Sequence, residues 1–166
     1  MLNKELFALV EQIKETANPG VTISTAESCT GGMLAAYFTE VPGASKYFAS
    51  GVISYSNKAK IELLSVKLQT LETFGAVSEE VAKEMAIGSL NLAGSDIAIS
   101  ITGIAGPDGG TIHKPVGMVC FGVATSDETK TFTHHFKGNR TEIRAKACAA
   151  ALNLSLDYFL KSKDSL

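Results

Sequence analysis

Residues 21–38 read VTISTAESCTGGMLAAYF and join a β-branched run, a polar cluster, two glycines and an apolar run. The β-branched run, 21–26, has the composition of a short strand. The apolar run, 31–41, predicts a helix that ends at the following Pro-Gly pair. Ser28 therefore lies at a strand-to-helix turn, where unpaired backbone N–H groups can bind an anion.

The rest of the chain continues this alternation of strands and helices. Helices are predicted at 2–17, 58–66, 78–94 and 140–160, and strands at 47–55, 95–103, 116–125 and 130–136. The third of these four strands is separated from the fourth by a short turn, which predicts a hairpin. Alternation with one late hairpin predicts an α/β fold: a three-layer α/β/α sandwich on a mixed, mostly parallel sheet of about five strands.

Composition favours one domain that covers residues 1–166. Hydrophobic residues make up 45% and charged residues 19%, which is too apolar for disorder. The net charge of −2, without a block of like charges, gives no support for a nucleic-acid partner or a membrane anchor. Three cysteines without a CxxC spacing favour neither a disulfide nor a zinc site, so we expect no metal and a cytoplasmic location.

The polar cluster 27–30 offers two candidate nucleophiles, Ser28 and Cys29. The backbone N–H groups of Cys29, Thr30 and Gly31 are candidates for holding an oxyanion. Ser28 or Thr30 could instead simply cap the helix, as such residues usually do. A reactive Cys29 would need a lowered pKa and normally a histidine partner, whereas packing is the ordinary role of such a residue. The residues of this segment are compatible both with a helix cap and with a nucleophile.

The segment 54–60, SYSNKAK, places two lysines at the start of a predicted helix. Asn57 is the predicted N-cap, so Lys58 and Lys60 face the positive end of the helix dipole. A general base must be neutral, and both this dipole and burial lower the pKa of a lysine. A solvated lysine and a catalytic Lys60 are equal alternatives on this evidence.

The segment 102–110, TGIAGPDGG, directly follows a nearly continuous apolar strand. Ligands of open α/β sheets bind beyond the carboxyl ends of the strands, and Ser28 lies at the same edge. The glycine spacing matches neither the dinucleotide fingerprint nor a P-loop, so a plain turn and an anion-binding nest are both open. Arg140 and Arg144 lie one turn apart in the last helix. They either bind a phosphate or carboxylate, for which a guanidinium is well suited, or simply lie on an exposed helix face.

Five ordered segments are together more specific than any one of them. AESCTGG at 26–32, GVISYSNKAK at 51–60, GAVSEEVAKEMA at 75–86, TGIAGPDGG at 102–110 and KPVG at 114–117 closely resemble the family named for the C-terminal domain of the competence/damage-inducible protein CinA. The resemblance covers nearly the whole chain. The run TIHK at 111–114 departs from the Thr-Pro-Glu-Lys type of many members.

This resemblance implies an enzyme. Active members are nicotinamide-nucleotide amidohydrolases, which convert nicotinamide mononucleotide to nicotinate mononucleotide and ammonia in pyridine-nucleotide recycling. It implies that Ser28 is the nucleophile, that Lys60 is its base, and that Tyr55 completes the site. We expect Tyr55 to hydrogen-bond within the Ser/Lys pair. The family fold is the sandwich predicted above, and the short N-terminus looks like the stand-alone form of the domain.

The nucleotide phosphate needs a positive or N–H-rich pocket, for which the candidates are Thr102, Gly103, Gly106 and Arg140. The reaction requires no metal and no cofactor. A homo-oligomer is compatible with so small an α/β domain. Two other interpretations remain: a non-catalytic nucleotide-binding or regulatory module that uses the same pocket, and a cysteine hydrolase that uses Cys29.

Overall fold

The computed structural model describes residues 4–163. The helices are α1 (Lys4–Thr16), α2 (Met33–Glu40), α3 (Asn57–Leu64), α4 (Leu68–Phe74), α5 (Glu79–Ala93) and α6 (Arg140–Lys163). The strands are β1 (Ile23–Glu27), β2 (Phe48–Ile53), β3 (Ile97–Gly103), β4 (Met118–Thr125) and β5 (Thr129–His135), and a 3₁₀ turn covers Ala44–Lys46. Within the described residues no helix is both long and apolar enough to cross a bilayer.

One mixed sheet carries the strands in the order β2-β1-β3-β4-β5. β1 runs parallel to both β2 and β3, whereas β4 is antiparallel to β3 and to β5. Helices α1, α2 and α6 pack on one face, and α3, α4 and α5 pack on the other. The predicted α/β/α sandwich with a late hairpin is confirmed. The carboxyl ends of the parallel strands β1 and β3 meet at one edge, where the site described below is built.

The alternation of residues along β3 explains how the two faces differ. Ile97, Ile99 and Ile101 point into the larger core with α1 and α6. Ser100 points the other way, and its hydroxyl donates to the Ala82 carbonyl of α5 at 2.5 Å. Small residues on that face let α5 approach the sheet closely, and this fixes the loop that precedes α5 against the end of β3.

Two local predictions about helix starts had different outcomes. Ser78 is the N-cap of α5, as predicted, and its hydroxyl accepts the N–H of Val81. The N-cap of α3 is Ser56 and not Asn57, because the Ser56 hydroxyl accepts the Ala59 N–H at 3.0 Å. The prediction of Asn57 was wrong by one residue. Both residue types are good N-caps, so local sequence does not distinguish them.

Other boundaries also differ from the sequence prediction. α4 was not predicted, and the predicted strand 47–55 ends at Ile53. The predicted helix 31–41 begins only at Met33, because Gly31 and Gly32 both adopt positive φ, 60° and 90°. The first two residues of the predicted helix 2–17 lie outside the described residues. These shifts leave the order and type of the predicted elements unchanged.

Gly88→Ala tests the close approach of α5 to α3. A Cβ at Gly88 would lie 2.0 Å from the Leu64 carbonyl oxygen, a backbone atom that cannot swing away. We therefore expect a loss of about 1–3 kcal/mol in the free energy of unfolding, measured with urea. Helix propensity alone predicts the opposite sign, a gain of about 1 kcal/mol. The matched control is Asn91→Ala on an exposed position of α5. A Gly88→Ala protein as stable as wild type would contradict this packing.

Candidate active site

Lys60 and Ser28 meet inside the protein, although a helix carries one and a strand-end loop carries the other. Lys60 Nζ lies 3.1 Å from Ser28 Oγ. The Lys60 side chain is only 1% exposed and Ser28 is 8% exposed. The structure therefore places a primary amine within hydrogen-bond distance of a hydroxyl in a site that is largely closed to water.

The surroundings of Lys60 shift its ionisation toward the neutral form. Burial, the largest influence, lowers its pKa from the ordinary value of 10.5, and nearby Cys29 acts in the opposite direction. Within the described residues no carboxylate forms a salt bridge with Lys60. Its nitrogen instead faces the carbonyl oxygens of Ser54 at 2.8 Å and Tyr55 at 3.4 Å. A neutral amine has two N–H groups for these two carbonyls, which leaves its lone pair for the Ser28 hydroxyl.

The helix-cap interpretation of Ser28 and Thr30 is wrong. The N-cap residue of α2 is Gly32, which has no side chain to contribute. The Glu27 carboxylate, only 1% exposed, takes that role and accepts the N–H groups of Gly32, Leu34 and Ala35 at 3.1, 3.0 and 2.8 Å. A carboxylate at a helix N-terminus is also favoured by the helix dipole. The Ser28 hydroxyl is therefore left free to contact Lys60.

Arg144 holds the same loop from the opposite side. Its Nε donates to the Cys29 carbonyl at 3.1 Å, and its Nη2 donates to the Thr30 carbonyl at 2.7 Å. Arg144 therefore does not lie on an exposed helix face, because it is half-buried and its guanidinium bonds two backbone carbonyls of this loop. In a trans peptide the N–H points opposite to the C=O. The hydrogen bond to the Cys29 carbonyl thus turns the Thr30 N–H away from Arg144.

The backbone donors predicted for an oxyanion are not all available. The Gly31 N–H already donates to the Ser28 carbonyl at 3.1 Å, which closes a tight turn. Within the described residues, the N–H groups of Cys29 and Thr30 form no such turn bond to another residue. The candidate oxyanion donors are therefore the N–H groups of Cys29 and Thr30, and the Gly31 N–H instead stabilises the turn.

Cys29 is buried, and its thiol is disfavoured as a thiolate. Burial, the largest influence, raises the pKa of its thiol to about 11, so the thiol is protonated near neutral pH. The side chain is 6% exposed and packs in the main core. These properties argue against the cysteine-hydrolase interpretation and leave Ser28 as the nucleophile candidate.

A cleft of about 280 Å³ opens above the Ser28–Lys60 pair at the carboxyl edge of the sheet. Most of the site residues predicted from sequence line it: Ser28, Cys29, Tyr55, Lys60, Thr102, Gly103, Gly106 and Arg140. The prediction missed the other residues of the lining: Ala76, Val77, Ile104, Ala105, Asp108 and Gly109. Larger cavities of about 580 and 480 Å³ lie elsewhere, and neither contains a buried amine.

The floor and wall of the cleft include Thr102, Gly103 and Gly106, and each contributes in a different way. The Thr102 hydroxyl donates to the Ala76 carbonyl at 2.8 Å and so fixes the loop before α5 to the end of β3. A Cβ at Gly103 would lie 2.7 Å from a Val119 side-chain carbon, so a larger residue would not fit there. Gly106 has φ +77° and presents its carbonyl to Arg140 Nη1 at 2.9 Å.

Tyr55 departs from its predicted role. Its side chain is 60% exposed, and its hydroxyl accepts a hydrogen bond from Arg140 Nη2 at 3.2 Å. Its backbone carbonyl, and not its hydroxyl, contacts Lys60. The predicted hydroxyl bond within the Ser/Lys pair is thus not present in this structure. Tyr55 and Arg140 instead meet across the mouth of the cleft.

Two residues of the cleft lining, Cys29 and Asp108, are of types that commonly ligate metal ions. Among the described residues, no group of three or more His, Cys, Asp or Glu side chains could hold a metal ion. The three cysteines are buried and unpaired. The chemically distinctive feature of the cleft is the amine–hydroxyl pair at its base.

Fold and site together define an α/β/α protein with a buried Ser–Lys pair at the carboxyl edge of its parallel strands. The family model of the CinA C-terminal domain matches residues 7–159. The chain belongs to this family.

Two curated relatives are named as CinA-like proteins. A CinA-like protein of Endomicrobium trichonymphae is 54% identical over 133 residues, which cover 80% of this chain and 31% of that protein. A CinA-like protein of Chlorobium limicola is 52% identical over 147 residues, which cover 86% and 34%. The chain thus spans about a third of the length of these relatives.

Solved structures agree with this assignment along almost the whole chain. A CinA superfamily protein of Klebsiella pneumoniae has a TM-score of 0.90 at 35% identity and covers 94% of this chain and 98% of its own. The competence/damage inducible protein CihA of Agrobacterium tumefaciens has a TM-score of 0.87 at 37% identity, with coverage of 95% and 98%. The predicted family resemblance is confirmed.

Glu27→Gln tests the buried cap of α2. The amide has one acceptor oxygen and places N–H donors against backbone N–H groups, so at least one donor loses its partner. We expect a loss of about 2–3 kcal/mol in the free energy of unfolding, measured with urea. Glu40→Gln, an exposed change at the other end of the same helix, is the matched control. Equal stabilities for the two variants would show that the carboxylate does not support the loop.

Proposed function

We propose that this protein is a nicotinamide-nucleotide amidohydrolase, which converts nicotinamide mononucleotide to nicotinate mononucleotide and ammonia. The observation that carries the proposal is the 3.1 Å contact between Lys60 Nζ and Ser28 Oγ, both buried, without a carboxylate bonded to the amine in the described residues. A lysine kept neutral beside a hydroxyl can remove its proton, which is the requirement for a serine nucleophile. Membership of the CinA family supports the choice of substrate.

The reaction begins with attack on the carboxamide. Neutral Lys60 accepts the Ser28 hydroxyl proton as Oγ bonds to the carboxamide carbon, and the carbonyl oxygen becomes an oxyanion. The N–H groups of Cys29 and Thr30 stabilise that charge, a contribution of about 3–4 kcal/mol for one well-placed donor. Protonated Lys60 returns the proton to the amide nitrogen. The carbon–nitrogen bond then breaks, ammonia leaves, and an ester to Ser28 remains.

Hydrolysis of the ester uses the same groups in the second half of the cycle. Lys60, neutral again, takes a proton from a water molecule that attacks the ester carbon. The bond to Ser28 Oγ breaks, and Lys60 returns the proton to that oxygen. The product is the carboxylic acid of the nucleotide, which ionises to the carboxylate and gives its proton to the released ammonia, so the overall reaction consumes one water per ammonia released.

Arg140 supplies a positive charge for the phosphate. Its guanidinium lies at the cleft mouth and bonds only neutral groups among the described residues, the Gly106 carbonyl and the Tyr55 hydroxyl. Guanidinium groups suit phosphate because their N–H donors match two oxygens at once. In this proposal, Gly106 and Tyr55 orient Arg140. Thr102 and Gly103 shape the wall on which the nucleotide rests.

Ammonia release from nicotinamide mononucleotide tests the proposal. We expect turnover in wild type and a loss of at least about 10³-fold in kcat in Ser28→Ala and in Lys60→Arg, because arginine does not deprotonate in proteins. The matched control is Lys58→Arg, an exposed lysine two residues away, which should keep full activity. Circular dichroism establishes that each variant is folded.

Three results would contradict the proposal or part of it. Activity that survives in Ser28→Ala would place the nucleophile elsewhere. An active Lys60→Arg would show that the lysine acts as a cation and not as a base. Absence of ammonia, together with heat stabilisation by the nucleotide, would favour the non-catalytic binding module.

The pH dependence of kcat/KM gives a separate test. Lys60 works only when deprotonated, so kcat/KM should rise with pH through the Lys60 pKa and level off above it. Because burial lowers that pKa, the rise should be centred below 10.5. Initial rates across the neutral and alkaline range measure it. A rate that falls as pH rises through this range would indicate that the protonated amine is the active form.

A further inference from the structure

The cleft contains two exposed, opposite charges that the mechanism above does not pair with each other. Asp108 lies in the glycine-rich loop after β3, and Arg140 lies at the start of α6; both line the cleft. Within the described residues, neither takes part in a salt bridge, and Asp108 has no hydrogen-bond partner either. The Arg140 guanidinium bonds only the neutral Gly106 carbonyl and Tyr55 hydroxyl, so neither charge is neutralised by a protein group of opposite charge within the described residues.

Unpaired charges of opposite sign at one cleft suit a ligand that carries both. A single anion would be attracted by Arg140 and repelled by Asp108, whereas a zwitterion can face each charge with its opposite. The other basic side chain at the cleft, Lys60, is buried at its base and contacts Ser28 and two carbonyls. The arrangement therefore selects for one positive and one negative group on the same molecule.

Nicotinamide mononucleotide has this charge pattern. Its phosphate is negative, and its ring nitrogen, bonded to the ribose, makes the ring a cation. The reduced form of the same nucleotide keeps the phosphate, the ribose and the carboxamide, but its dihydropyridine ring is neutral. The two forms therefore differ at the ring charge while sharing the groups that Arg140 would bind.

We propose that Asp108 is a specificity-determining residue that favours nucleotides with a cationic pyridinium ring over those with a neutral ring. This inference rests on the proposed function for its choice of ligand. In this proposal, Arg140 binds the phosphate that both forms carry, and Asp108 attracts the cationic ring of the oxidised form. The carboxylate is exposed, so its effect is that of a partly screened charge and falls as salt concentration rises.

The test measures binding of the oxidised and the reduced nucleotide by calorimetry, in a Ser28→Ala background that prevents turnover. We expect Asp108→Asn to weaken binding of the oxidised form roughly three- to fivefold and to leave the reduced form unchanged. Arg140→Ala should weaken both forms alike, since both carry the phosphate. Asp127→Asn, an exposed aspartate outside the cleft on the β4–β5 turn, is the matched charge control and should change neither.

Equal weakening of both forms by Asp108→Asn would overturn the inference, because it would place the carboxylate on the shared ribose or in the shape of the loop. Unchanged binding of both forms, or no binding by the Ser28→Ala protein, would overturn it as well. Ammonia release is measured separately on wild type. Charge-selective binding without ammonia would contradict the proposed function alone. Ammonia release without charge selectivity would contradict this inference alone.

Discussion

The arrangement of the site depends on the burial of one amine, that of Lys60. Lys60 is 1% exposed and has no carboxylate partner within the described residues, so burial disfavours its charged form and lowers its pKa. Its polar hydrogens still need acceptors, and the carbonyls of Ser54 and Tyr55 provide them. The Ser56 cap fixes where α3 begins, and this start positions Lys60, in the first turn of the helix, beside Ser28.

The serine side of the pair is held by two charged residues that do not touch the cleft. Glu27 binds the N-terminal N–H groups of α2, and Arg144 binds the carbonyls of Cys29 and Thr30. Both ends of the turn are thus fixed by charge-assisted hydrogen bonds, which are stronger than neutral ones. Such a supporting arrangement keeps a nucleophile in place without occupying the space needed by a substrate.

The sequence indicated the features that depend on local patterns. Apolar periodicity and β-branched content predicted the order of helices and strands, and the hydroxyl with two following glutamates predicted the start of α5 at Ser78. The two lysines after Tyr55, at odds with the helix dipole, marked Lys58 and Lys60 alike as candidates for a catalytic base. The family resemblance supplied the pairing of Lys60 with Ser28, which lies on a different element.

What could not be predicted depends on tertiary contacts. Arg144 reaches the Cys29 carbonyl across 115 residues of sequence, and no local pattern marks it as different from Arg140. Glu27 caps a helix that begins six residues later, outside the usual spacing of a helix cap, because two left-handed glycines turn the chain back toward it. The Tyr55 hydroxyl bonds Arg140 and not Lys60, a choice that depends on where the last helix packs.

The ionisation of Lys60 is the most direct test of its proposed role as the base that takes the proton from Ser28. Isotope-edited NMR of the lysine side chains follows its Nζ and Cε signals through a pH titration, with the Lys60 signals assigned by their loss in Lys60→Met. We predict a Lys60 pKa below the ordinary value of 10.5, caused by burial. A pKa at or above that value would mean that the amine is charged in the folded protein, and a charged Lys60 cannot take the proton from Ser28.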